Sequence, residues 1–390
     1  MKKILLLSPF PPTQNPRLLK EYDVLLAYGY HVKVIYGEKD KWSSKLNKKS
    51  DKNFIRVGGK PGSIVHILTR IIQKLLNFVS PVEWNYNRVS WLLYFKAIFF
   101  KADLYIGHNL AALPIVAKLA KLHHSKYGFD AEDFYRQIDN DNLAGPSFQK
   151  AKYLEDKYLV HAAYLTAASP LIAKHYAILY PSIHPIVVNN VFSNPCPKSD
   201  QYLKKVSQLK LFWFSQTIGK NRGLEDIIEA LNLVGNPLIE LHLLGNLSVQ
   251  DTIYFNGLAN FVIKYYKPIS ADQIFELAHN FDIGLALEPG FCLNNEIALS
   301  NKIFTYLISG LAIIASDTQA QKEFMTSNTI IGELYPIGDV TALANIITKL
   351  FNNRDLLNTY RKNSYKLAKS KYNWEMEQEK FLTIIKSLVS

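Results

Sequence analysis

Short apolar runs alternate with amphipathic stretches along most of this 390-residue chain. Residues 3–8, apolar from Ile4 to Leu7, read as a buried strand. A loop over 9–16 follows. Residues 17–28 then carry Leu18, Leu19, Val24, Leu25 and Leu26 at helical spacing, closed by Gly29. Residues 31–36 are the next strand. The alternation recurs with strands at 103–107, 127–129 and 164–168 and helices at 111–122 and 150–160. It resumes with strands at 209–214, 241–244 and 261–266 and helices at 225–233 and 271–280. Residues 283–287 are apolar, 288–300 polar, 301–309 helical in spacing up to Gly310, and 311–315 apolar again. Beyond them lie a helix near 319–325, a strand around 330–335 and a long helix over 340–351. Strand, loop, helix, strand is the unit of a parallel sheet, so the fold class is α/β with doubly wound sheets. The segment 193–200, with Asn194, Pro195, Pro197 and Ser199, reads as a linker, and the lysine- and serine-rich 39–52 as an exposed loop.

Composition agrees with a globular chain long enough for two domains: 48% of residues are apolar and 20% charged. The formal charge, 45 − 33 = +12, suits anionic partners such as nucleotide diphosphates or lipid headgroups. Nucleic acid is not expected, because no recognisable binding motif accompanies that charge. Cys196 and Cys292 provide neither a disulfide framework nor a metal cluster and point to a reducing, cytoplasmic compartment. The opening MKKILLLSPFPP is too short in its apolar core for a signal peptide, and no apolar run reaches membrane-spanning length. Residues 64–100 stand apart. Ile64, Ile67, Leu68, Ile71, Leu75 and Phe78 make one helical face, Trp84, Trp91, Tyr94, Phe95, Phe99 and Phe100 follow, and Arg70, Lys74, Arg88, Lys96 and Lys101 are interleaved. This pattern suits peripheral association with an anionic membrane, or a set of helices covering a sheet.

Candidate chemistry collects where strands of a parallel sheet end, since ligands bind there. Asn301 and Lys302 open a helix after the strand at 283–287. They read either as an N-cap and a solvated charge or as a phosphate site. Arg17, a cation at a helix N-terminus, needs a counter-charge. His108 ends a strand and reads as a ligand-facing or a loop-capping residue. Asp130, Glu132 and Asp133 follow another strand and could bind or deprotonate an acceptor hydroxyl, or form a solvated turn. No G-x-G-x-x-G follows the first strand, which argues against a dinucleotide enzyme.

The order Glu288, loop, NKIFTYLISGLAIIASD resembles the donor-binding segment of bacterial retaining glycosyltransferases of the GT-B fold, the group-1 type that builds surface polysaccharides. The loop SQTIGKNRGL at 215–224 is similar to their diphosphate-gripping loop, with Gln216 at the usual Arg position and Arg222-Gly223 for the usual Lys-Gly; Lys220 lies between. His108-Asn109 resembles their His-Asp, and 130–133 their Asp-x-His-Glu with Glu132 in the His position. Thr305 stands where a second Glu is usual; Glu288 and Glu296 keep the seven-residue gap but lie upstream.

This resemblance implies two Rossmann-like domains with a cleft between them. The first, at 1–192, binds the acceptor and includes a final helix (373–390) that crosses back to it. The second, at 201–372, binds the nucleotide sugar. It implies transfer of a hexosyl unit from a UDP-sugar, with a GDP-sugar as the alternative, to a saccharide or lipid-linked saccharide. No metal or other cofactor is expected. His108, Glu288 and Glu296 are the implied catalytic residues. Gln216, Lys220, Arg222, Gly223, Gly245, Asn301 and Lys302 would hold the donor, and Arg17, Asp130, Glu132 and Asp133 would face the acceptor. A nucleotide-sugar epimerase on the same fold, or a non-catalytic homologue, is the alternative.

Overall fold

A computed structural model describes residues 1–38, 52–193 and 208–389. Most of the expected lysine-rich loop and of the linker therefore lies outside the described residues. Two compact units separate: Met1–Asn190 with Cys292–Asn294 and Glu377–Ser390, and Val191–Phe291 with Asn295–Met376.

The first unit is built on seven parallel strands: β1 Lys3–Ser8, β2 His31–Tyr36, β3 Phe54–Arg56, β4 Leu104–His108, β5 Lys126–Ala131, β6 Tyr164–Ala167 and β7 Ile186–Val187. Their order across the sheet is β3-β2-β1-β4-β5-β6-β7. Ile4 to Leu7 of β1 and Leu104 to Ile106 of β4 are fully buried, as parallel strands covered on both faces must be. The chain winds outward from β1 through β2 to β3, then returns to β4 and winds the other way. The sheet therefore reverses between β1 and β4. The helix Trp374–Val389 belongs largely to this unit: Glu377 accepts from the Asn189 backbone (3.1 Å) and side chain (2.8 Å), and Lys126 Nζ donates to the Leu388 carbonyl.

The second unit carries β8 Leu209–Ile218, β9 Ile239–Leu247, β10 Lys264–Tyr266, β11 Ile283–Ala286, β12 Ala312–Ser316 and β13 Gly332–Tyr335, ordered β10-β9-β8-β11-β12-β13 and again parallel. Its reversal falls between β8 and β11. Leu211, Trp213, Leu241, Leu243, Ile283, Leu285 and Ile314 form the sheet side of a core that Ile227, Ile228, Leu343 and Ile347 cover from two helices.

Several elements depart from the sequence reading. The first helix is Pro16–Ala27, capped by Asn15, whose Oδ1 accepts from the Leu18 N–H at 3.0 Å. The polar loop 288–300 contains a short helix, Leu293–Ile297. The helix Asn301–Ser309 is preceded by Ser300 as its cap residue, so Asn301 is its first helical residue and not its N-cap. The helices Pro170–Leu179, Val249–Leu258 and Arg354–Ser370 have no counterpart in the hydrophobic pattern read above.

The helix Ile64–Val79 departs from one of the two readings of its pattern, the sheet cover. As a sheet cover it would turn its apolar face inward. Instead Ile64, Val65, Ile67, Leu68, Ile71 and Leu75 are 50–76% exposed, while His66 and Thr69 are buried. The side chain of Phe78 lies outside the described residues. Farther on, Phe95 and Phe99 are exposed, while Leu93 and Ala97 pack inward. Among the described residues no helix is long and apolar enough to cross a membrane.

Candidate active site

Both sheet reversals carry polar clusters at the carboxyl ends of their strands, where a crevice forms in open α/β sheets. In the first unit, Arg17 sits in the first turn of Pro16–Ala27 and is 3% exposed. Its Nε and Nη2 donate to the two oxygens of Asp130 at 2.7 and 2.5 Å, and Nη1 donates to the Val188 carbonyl at 2.5 Å. Thr166 Oγ1 adds a hydrogen bond to Asp130 Oδ1 at 2.6 Å. The cation that looked unfavourable at a helix N-terminus thus has its counter-charge inside the unit.

His108, the last residue of β4, has no exposed surface. Its Nε2 lies 3.0 Å from Glu21 Oε2, and its Nδ1 lies 3.4 Å from Asp130 Oδ2 and 3.7 Å from Glu132 Oε1. Burial alone would favour the neutral ring, but the Glu21 charge and the three carboxylate contacts outweigh it. The imidazole pKa is raised well above its ordinary value. His108 is therefore a buried imidazolium set among three carboxylates. Glu21, His108 and Asp130 bring ligand-type atoms within 4.8 Å of one another, as a metal would require. The guanidinium on both oxygens of Asp130 already supplies positive charge there.

Glu132 accepts from Asn15 Nδ2 at 2.5 Å. Asp133 accepts from Asn294 Nδ2 at 3.0 Å, and burial lifts its pKa to about 6. Lys20 donates to Asn190 Oδ1; burial and the neighbouring Arg17 depress its pKa to about 7. Sequence reasoning passed over Glu21. Its signal was present, since Arg17 and Glu21 are opposite charges four apart on one helix face.

In the second unit, the loops after β8 and β11 meet at the reversal. Glu288 follows β11. Its Oε1 accepts from Lys302 Nζ and from Ser300 Oγ, each at 2.6 Å. Burial would raise the Glu288 pKa, but Lys302, Ser300 and the nearby Arg222 charge bring it below its usual value. Arg222 is exposed and donates to Ser215 Oγ at 2.9 Å. Gly223 makes this loop possible. It adopts φ +72°, and a Cβ there would lie 2.3 Å from the Leu287 carbonyl oxygen. Lys302 also lies over the Trp213 ring, 5.6 Å from its centre.

The other expected donor residues are placed differently. Gln216 is exposed on the irregular end of β8, where the β8–β9 register shifts between Phe214 and Thr217. Lys220 is exposed and stacks on Tyr254 at 3.8 Å. Gly245 permits a close approach of backbone: a Cβ there would fall 2.6 Å from the Ser215 carbonyl oxygen. Glu296 accepts from the Gln319 N–H at 3.0 Å, away from the Lys302–Glu288 pair in its bonding. Thr305 is buried, so the position of the usual second carboxylate carries no charge here.

No family model matches this chain, and no curated protein matches it. Solved structures do. A sucrose-phosphate synthase from Thermosynechococcus elongatus superposes with a TM-score of 0.72 at 15% identity, over 100% of this chain and 99% of that one. The Anabaena protein Alr3699/HepE, in complex with UDP-glucose, gives 0.68 at 17% identity, with both chains fully covered. WaaG, a glycosyltransferase involved in lipopolysaccharide biosynthesis, gives 0.62 at 12% identity over 97% of this chain and 98% of that one. The fold is GT-B. In this GT-B chain, Arg222, Glu288 and Lys302 occupy the reversal of the second sheet, and the buried Arg17–Asp130–His108–Glu21 cluster that of the first.

Proposed function

We propose that the protein is a retaining glycosyltransferase. It transfers a hexosyl unit from a nucleotide sugar, a UDP-sugar in the first instance, to a saccharide or lipid-linked saccharide acceptor in cell-surface polysaccharide synthesis, without a metal. The observation that carries this reading is the Arg222–Glu288–Lys302 group at the β8/β11 reversal, beside the first turn of Asn301–Ser309. A diphosphate bound there meets two cations and free helix N–H groups. The structures of HepE with UDP-glucose support the donor class.

The chemistry follows from charge. The bond between the anomeric carbon and the diphosphate oxygen breaks, and Arg222, Lys302 and the helix N-terminus offset the charge left on the phosphate. The acceptor oxygen bonds to the anomeric carbon on the face the diphosphate leaves. Its proton passes to the departing phosphate oxygen. Glu288, once Lys302 turns to the phosphate, is free to accept from a sugar hydroxyl. The exposed apolar stripe of Ile64–Val79, with Arg70 and Lys74 on the same helix, supports attachment to the inner face of an anionic membrane, where a lipid-linked acceptor would lie.

Calorimetric titration with UDP-glucose tests the donor site. Arg222→Ala and Lys302→Ala should each weaken binding about tenfold or more, the worth of one charge-assisted contact, while thermal midpoints stay near that of the parent. Unchanged affinity in both variants sinks the assignment.

A further inference from the structure

The first unit contains a polar pocket of about 480 Å³ that the reversal cluster does not use. It lies at the carboxyl end of β1 and β2. Phe10 follows β1, Glu38 follows β2, and His66, Arg70 and Gln73 come from the helix Ile64–Val79, with Arg88 completing the wall. This is why that helix turns a polar edge inward while its apolar stripe stays outside.

Two of the lining groups are buried and unsatisfied. His66 is 9% exposed, and its Nδ1 has no hydrogen-bond partner. Glu38 is 2% exposed; its Oε1 lies 3.3 Å from Arg56 Nη1, and its Oε2 has no partner. A buried polar atom left unpaired costs about 1–3 kcal/mol, so such atoms mark places where a ligand completes the bonding. Burial and the charges of Arg88 and Arg70 lower the His66 pKa, which keeps the ring neutral at pH 7, able both to donate and to accept. A carboxylate and a neutral imidazole together read hydroxyl groups. Arg88 is committed to the wall: Nη1 donates to the Gly58 carbonyl at 2.8 Å and to Thr69 Oγ1 at 2.9 Å. Arg70 is exposed at the rim. With two guanidinium groups to one carboxylate, the pocket favours an anion.

We propose that this pocket binds a sugar ring bearing an anionic substituent, with its hydroxyls on Glu38 and His66 and its phosphate or carboxylate on Arg70. Its role as the acceptor site rests on the transferase reading; the binding itself does not. The volume lies within the range of ordinary ligand sites and holds a ring with its substituent.

The test is titration of the full chain with glucose 1-phosphate, glucuronate and glucose, followed by ligand-observed NMR. Saturable binding of glucose 1-phosphate alone identifies a phosphosugar, and of glucuronate alone a uronate; both outcomes support the pocket. Arg70→Gln, at an exposed position that the fold tolerates, should weaken the bound anion about tenfold and glucose little. Glu38→Gln and His66→Ala should weaken all three sugars. The proposal is overturned if neither anion binds saturably, or if binding survives all three pocket substitutions. A parallel UDP-glucose titration separates the two readings. UDP-glucose bound with both anions ignored removes the pocket and leaves the transferase. Anions bound through Arg70 with UDP-glucose ignored leaves the pocket and removes UDP-glucose as the donor.

Discussion

Asp130 is where the buried charges of the first sheet's reversal meet. It takes two hydrogen bonds from Arg17 and one from Thr166, with the protonated His108 ring beside it. Burial works against its charge, but Arg17 and His108 win and hold its pKa far below the carboxylate range. A depressed folded-state pKa contributes stability above the unfolded value of about 4, and that stability is lost as pH falls below it. Asp130→Asn should therefore cost about 3–5 kcal/mol at pH 7, because it leaves the buried Arg17 charge without its carboxylate and takes one of three carboxylates from His108. Urea unfolding of the two proteins between about pH 5 and about pH 2 should show that gap closing as acid removes the parent's advantage. A gap independent of pH would mean that packing, not charge, makes the difference. At this scale the sequence is a poor guide. Arg17 and Asp130 both stood out, yet their pairing spans the sheet and is set by the β1–β4–β5 order, which no local spacing encodes. Gly245 shows the same limit: the residue type announces a close approach, but not that Ser215 makes it.

The elements were more legible, for a physical reason. A parallel strand buried on both faces must be a continuous apolar run, and β1, β4, β11 and β12 read that way without any partner in view. Three-residue β3 is too short to show a pattern. Arg354–Ser370 buries only Leu357, Ser364 and Ala368 among its 17 residues, too thin a stripe to announce a helix. The helix Ile64–Val79 shows a further limit. Its period was plain, but period says only that a face is apolar, not what covers it. Its exposed stripe leads to a prediction on membrane binding. In sedimentation with phosphatidylglycerol vesicles, Leu68→Ser combined with Ile71→Ser should lower the bound fraction by at least about tenfold, since each apolar side chain is worth about 1.5–3 kcal/mol when fully buried. The urea midpoint should barely move, because both side chains are half exposed already. A parent protein that ignores the vesicles removes the membrane reading.

At the scale of the whole molecule, the two sheets share one plan, a parallel sheet that reverses once, but they arm the reversal differently. The first fills it with a buried, internally compensated charge cluster. The second leaves Arg222 exposed, and Lys302, which also lies over the Trp213 ring, is paired with Glu288, a partner it can exchange. A compensated cluster resists a new charge, because admitting one means breaking buried pairs; an exposed cation beside an exchangeable pair accepts one at little cost. The donor diphosphate should accordingly stabilise the second unit and not the first. A ligand present at 100 times its Kd adds about 2.7 kcal/mol to any opening that destroys its site, which slows the corresponding amide exchange about a hundredfold. Hydrogen exchange with and without UDP should show that protection in β8, β11 and the first turns of Leu224–Val234 and Asn301–Ser309, while β1, β4 and β5 exchange as before. Protection appearing around His108 and Asp130 instead, with Arg222 and Lys302 unaffected, would move the nucleotide to the first unit and reverse the roles assigned to the two sheets.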